Sequence, residues 1–375
     1  MNKYKTLVYP YDINFSSILR HKDLLNNHEI VALVSPRGWS LSGKDGAFAD
    51  GGDELGIIVD YNFEDSLKKC DTVLFCESEH ILDFESIILP NIFMAIDLKK
   101  NILINFSLCK KVLDLIIQKC NTNGVEVQYN GMIEEDVICY DIPFEHECIH
   151  EINTPVVFIL GIGEKTNKFE IQLSLRENIS KMGYRISQIG SRACCEFLGF
   201  HSFPHFMYSN KVTETNKIVL FNHYIKNIEM TEQPDLIIIG IPGAIMPVSN
   251  TLTNRFGVLA FEVSQAVKPD STIISCHYQE YLEKYFIELE KFAKYRLGCS
   301  TDCFNIANSV LDYSQSPDLN KTDYVILPSS YVDKKISPYK KYNQKIFNIL
   351  NKKDNQDMSE YIIDLLSKYG QTECI

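Results

Sequence analysis

Apolar runs of strand length alternate with helix-length segments along most of the chain. In the first ~150 residues KTLVYPY, EIVALVS, GIIVDY, DTVLFCES, NILINFSL and VEVQY read as strands. FESIILPNIFMAIDLKK and CKKVLDLIIQKCN read as helices between them. Strands apolar on both faces and separated by helices predict a parallel sheet covered on both sides. The same rhythm resumes after Thr154. A run from Val156 to Leu160 breaks at Gly161 and Gly163, a helical pattern follows, and IGSR closes a second short strand. QPDLIIIGIPGAIMP and KPDSTIISCHYQ add buried strands, EYLEKYFIELEKFAKYRLG a helix stopped by Gly298, and TDYVILPSS a late strand. The expected class is α/β with two parallel-sheet domains. Residues 1–150 form a Rossmann- or flavodoxin-like domain, 151–335 a second domain, and 336–375 a linker and the amphipathic helix SEYIIDLLSKYG, a packing or partner helix. No internal repeat is evident.

Composition narrows the function classes. A length of 375 residues with 45% hydrophobic content allows two or three domains with buried cores. A net charge of -12 argues against binding a nucleic-acid backbone, which needs clustered Lys and Arg. The start MNKYKTLVYPYD has no apolar signal core and no window of 18 apolar residues occurs, so neither secretion nor membrane spanning is expected and a cytoplasmic location is. Twelve cysteines without paired spacing predict reduced, mostly buried thiols.

The first strand runs into YPYDINFSS without the glycines that seat a pyrophosphate on the first helix, so no dinucleotide is expected there. The glycine-rich stretch of this half, residues 38–56 with the single tryptophan Trp39, reads either as a ligand-contacting loop at the carboxyl edge of the sheet or as a solvated loop. Between the halves, His146, Glu147 and His150 spell HExxH. In a zinc protease that spacing puts two imidazoles on one helical face. Pro143 and Pro155 bracket this copy and its flanks are strand-like, so no metal site is expected.

GIGEKTNKF carries the main candidate chemistry. Glycines that let backbone amides face an anion, and a lysine to meet it, make Gly161, Gly163, Thr166 and Lys168 candidate nucleotide- or phosphate-binding residues. The seven-residue step from Gly161 to Lys168 is that of dethiobiotin synthetase and related P-loop proteins, which this loop resembles. The resemblance implies ATP or another nucleotide as ligand and a degenerate P-loop-like second domain. Three positions depart from it. Asn167 stands where a glycine belongs, Phe169 replaces the magnesium-binding hydroxyl, and Gly240 in DLIIIGIPG falls where an acidic residue sits. Phosphoryl transfer depends on positioned metal and charge, so these losses should reduce turnover more than binding.

IGSRACCEFLGFHSFPHFMYSN is too irregular for one element and offers Arg192, His201, Ser202 and His205 as candidate substrate contacts. Cys194 and Cys195 read better as small buried hydrophobes, and Cys299 with Cys303 as an i, i+4 helical pair.

Taken together, GIGEKTNKFEIQL, IGSR, GFHSFP and DLIIIGIPGAIMP in a two-domain frame resemble the accessory proteins of peptide maturation systems, found beside radical-SAM maturases of small Cys-rich ribosomal peptides. The resemblance covers nearly the whole chain. It implies a binding or accessory role with a precursor peptide and a radical-SAM maturase as partners, and it carries no catalytic residue with it. The alternative is an ATP-dependent kinase or ligase activating a carboxylate, with metal held by groups such as Glu164 or Asp235.

Overall fold

The structure is a computed structural model that describes residues 3–131, 148–251, 253–312 and 323–372. The chain divides into two compact units, Met1–Val137 with Ala193–Gly199, and Ile138–Arg192 with Phe200–Ile375.

In the first unit the elements run β1 (Tyr4–Tyr9), α1 (Ile13–Arg20), β2 (His28–Val34), β3 (Val59–Asp60), α2 (Phe63–Leu67), β4 (Thr72–Cys76), α3 (Leu89–Asp97), β5 (Asn101–Asn105), α4 (Lys110–Asn123) and β6 (Val127–Tyr129). The six strands pair in parallel in the order β3-β2-β1-β4-β5-β6. That is the Rossmann order and not the flavodoxin one. Every strand expected from the sequence is present. Leu7, Val73 and Phe75 on one face meet Ile92, Ile96 and Ile116 of the covering helices.

Two details bear on ligands. The Asp12 carboxylate caps α1 by accepting from Asn14 N at 2.8 Å, and it also accepts from Glu79 N at 2.6 Å. A carboxylate therefore sits at the helix end where a Rossmann pyrophosphate would lie. The 38–56 loop is tied down. Asp45 accepts from Ala47 N, Leu55 N and Gly56 N, Tyr11 donates its hydroxyl to Gly46 O at 2.7 Å, and Arg20 pairs with Asp50.

The second unit continues with β7 (Val156–Gly161), α5 (Lys168–Lys181), β8 (Ile186–Gly190), β9 (His201–Ser202), α6 (Glu214–Glu232), β10 (Leu236–Gly240), α7 (Val258–Ala266), β11 (Ser271–Cys276), α8 (Glu283–Phe292), β12 (Cys303–Ile306), β13 (Ser309–Asp312), β14 (Asp323–Ile326), α9 (Ser329–Ile336), β15 (Lys345–Phe347) and α10 (Lys352–Thr372). Seven strands form a parallel sheet in the order β15-β12-β11-β7-β10-β8-β9. β7 lies inside it, and its side chains alternate between two cores. Val156, Phe158 and Leu160 pack with Phe221, Val263 and Phe286, while Val157 and Ile159 pack with Ile171, Leu175 and Ile179. The expected late strand, β14, pairs antiparallel with β13 in a separate two-stranded sheet.

The C-terminal helix belongs to this unit. Met358 and Ile362 are fully buried in the core beneath α5, and Asn178 Nδ2 reaches Asn355 Oδ1 at 2.6 Å. The 193–199 segment instead packs with the first unit, where Cys195 and Phe197 are buried. Most described cysteines are buried and all are free, and among the described residues no helix is long and apolar enough to cross a membrane.

Candidate functional site

Gly161 ends a central strand, and the chain turns through residues 161–168 into α5. A Cβ on Gly161 would come within 3.0 Å of Thr166 Oγ1 and Lys168 Cδ, and one on Gly163 within 3.0 Å of His277 Nε2. Close approach, and not an unusual φ, demands glycine at both positions. The unusual φ values fall instead on Lys165 at 54° and Asn167 at 57°. Asparagine is among the residues that tolerate the left-handed region, so Asn167 keeps the backbone path expected of the missing glycine.

Polar side chains brace the loop from outside. Ser309 Oγ donates to Lys165 O at 2.7 Å, Ser275 Oγ donates to Thr166 O, and Asn305 Nδ2 holds Ser275 Oγ at 2.8 Å. Asn308 N donates to Asn167 Oδ1 at 3.3 Å, so the Asn167 side chain caps no amide of α5. The first N–H groups of a helix have no intrahelical partner, and with two loop carbonyls held away they remain the donors at this helix end.

Lys168 opens α5 and is only 7% exposed. Its ammonium donates to Ile241 O at 3.2 Å and to Gly243 O, in the loop that leaves β10. Burial and then the neighbouring Arg192 lower its pKa, opposed by Glu164. Phe169, in the first turn, is buried, and the Arg192 guanidinium lies 4.5 Å from its ring centroid. The position expected to hold a metal hydroxyl therefore carries a ring that seats a cation. Gly240 is equally informative. A Cβ there would collide with the Gln172 amide, which donates to Lys168 O at 3.1 Å and Ser191 Oγ at 3.2 Å and accepts from Ser191 N at 3.2 Å. A side-chain amide fills the space an acidic group would need.

His277 lies immediately after β11, in the stretch KPDSTIISCHYQ that the sequence shows only as a buried strand. Its Nδ1 lies 3.1 Å from Ser309 Oγ, whose proton is already used on Lys165 O. We therefore assign the ring proton to Nδ1, which leaves Nε2 as a lone pair facing Gly163, buried and without a hydrogen-bond partner. Burial, and then Lys168, holds this imidazole down to about 4.

The structure distributes the other candidates. Arg192 comes to the head of α5. His201 and Ser202 form the edge strand β9, where His201 bonds Glu232, the acceptor of the Ser187 hydroxyl too. That network ties a sheet edge to α6. His205 lies in a short turn with Met207 and Tyr208; those two, with Glu164 and Gly243, line a cleft of about 740 Å³. Asp235, the alternative metal holder, sits at the amino end of β10, opposite the loop, and is held by Arg185 at 3.2 Å. It cannot serve this site. Of the HExxH residues, His146 and Glu147 lie outside the described residues. His150 is not helical, and its ring centroid lies 4.8 Å from that of His223 with the two rings tilted at 44°. Among the described residues no group of His, Cys, Asp and Glu could hold a metal ion.

No protein-family model matches the chain, and no curated protein does. Among solved structures, a DUF1611 family protein from Anabaena variabilis is similar over 81% of this chain and 88% of its own, at 10% identity and a TM-score of 0.52. At that identity the likeness establishes a shared α/β fold with two parallel sheets and nothing further.

Proposed function

We propose that the second unit binds a phosphoanion, ATP or another nucleotide, between Gly161 and Lys168, as a binding component and not an efficient phosphotransferase. The supporting observation is the braced loop. The carbonyls of Lys165 and Thr166 are held by Ser309 and Ser275 while the head of α5 and the Lys168 ammonium stand together. Anion binding needs only those donors and that charge. Phosphoryl transfer needs a positioned metal as well, and Phe169 and Gly240 supply no ligand for one. In this reading Arg192, seated on Phe169, contributes the second positive charge that magnesium would otherwise bring.

A thermal-shift screen with ATP, GTP and inorganic phosphate, with and without magnesium, tests the reading, because a ligand of the native state raises the melting temperature by mass action. Stabilisation that persists in EDTA is expected. The absence of a shift with every phosphate compound would remove the loop as a ligand site.

The partners in this proposal are a ribosomally made precursor peptide and its radical-SAM maturase, on the strength of the GIGEKTNKFEIQL, GFHSFP and DLIIIGIPGAIMP resemblance. Titrating the protein into labelled precursor peptide checks that part, and no binding in the presence or absence of nucleotide would contradict it.

A further inference from the structure

The cleft beside the loop contains two buried opposite charges that do not pair. Lys217, on α6, is 9% exposed and Glu262, on α7, is 3% exposed, and both line it. They feel each other's charge, yet among the described residues neither side chain makes an ion pair or a hydrogen bond. One polar atom of this wall, Asn254 Nδ2, is buried without a partner. It is carried with Arg255 on a turn in which Asn254, Arg255 and Phe256 take φ of 44°, 51° and 56°, a left-handed run that ordinary side chains resist. Buried charges left apart cost stability that apolar residues would not.

The geometry points to a second ligand site in this cleft, for a small zwitterion of the free α-amino-acid class. Its carboxylate would meet Lys217, Arg255 and the Asn254 amide, and its ammonium would meet Glu262. Other chemistries fit less well. Glu214 and Glu262 oppose a polyanion, buried Lys217 opposes a metal cation, and an apolar ligand would leave both charges uncompensated. Burial holds the Glu262 carboxyl above its usual range, opposed by the Lys217 charge and reinforced to a lesser degree by Glu214. The inference stands apart from the phosphate reading, since it rests on different side chains.

The test uses the full chain without nucleotide. The common free amino acids are screened by thermal shift, and hits are measured by calorimetry beside their N-acetyl and carboxamide derivatives and inorganic phosphate. At least one free amino acid should bind saturably, with affinity falling tenfold or more when either terminus is blocked. Lys217→Met and Glu262→Gln should each lose at least tenfold. The double variant Lys217→Met with Glu262→Gln, which leaves neither charge stranded, should melt no lower than wild type and still fail to bind. Lys168→Ala should retain amino-acid binding, which separates this site from the loop. Failure of every amino acid to bind, undiminished binding of a blocked derivative, or undiminished binding by the double variant would overturn the inference.

Discussion

Gln172 occupies the space into which any side chain on Gly240 would have to grow. The two sit on neighbouring elements, α5 and β10, and the amide that fills the gap is fastened to Lys168 O and to Ser191. Gly240→Asp should therefore destabilise the protein by about 2 kcal/mol or more through overpacking and a buried charge, and should not create magnesium binding. Urea unfolding together with a magnesium titration checks both halves. Adding Gln172→Ala should recover part of the lost stability.

Arg192 should matter to the ligand as well as to the packing of Phe169. Its stacking on Phe169 is an interaction of about 0.5–2 kcal/mol. Arg192→Met is expected to weaken phosphate binding roughly tenfold, which is about 1.4 kcal/mol. The loss of folding stability should stay within about 2 kcal/mol, the size of that contact. Equal affinity in the variant would take Arg192 out of the site.

His277 gives the protein a pH signature. An imidazole held down to about 4, against 6.5 when unperturbed, stays neutral in the folded chain while the unfolded chain takes up a proton. Its contribution is therefore intact above about pH 6.5 and declines as pH falls towards 4, by up to about 3 kcal/mol. Comparing wild type with His277→Gln in urea at a series of pH values isolates this group from the buried carboxyls. The difference in stability should change across that window and be flat above it.

The strands and the loop could be read from the sequence because each is a local pattern. Runs such as Val156–Leu160 are apolar on both faces, and Gly161 to Lys168 lies within one short segment. What escaped is non-local. Ser275 meets Thr166 across 109 residues, and His277 and Gln172 look like ordinary polar positions until Gly163 and Gly240 are found against them. Lys217 and Glu262 sit inside helices whose periodicity gives no hint that two unpaired charges share a cleft. The sequence shows the tail only as a linker and an amphipathic helix because its partner, α5, lies 177 residues earlier at the Asn178–Asn355 contact.

The packing of this helix on α5 has its own consequence. Removing residues from 352 onward would expose Ile171, Leu175 and Ile179, which now pack with Met358 and Ile362. The truncated protein should aggregate or lose its cooperative unfolding transition, as read by calorimetry and size exclusion. A truncation that melts like the full chain would show α10 to be dispensable.

Isothermal titration of ATP into wild type and Lys168→Ala, each in EDTA and in excess magnesium, tests the central claim most directly. Wild type should bind in EDTA with an affinity within about twofold of that in magnesium, since Lys168 and Arg192 provide the charge. Lys168→Ala should bind about ten- to a hundredfold more weakly, the effect of losing one charge-assisted contact of roughly 1.5–3 kcal/mol. Binding that strictly requires magnesium, or equal affinity in the two proteins, would contradict the account.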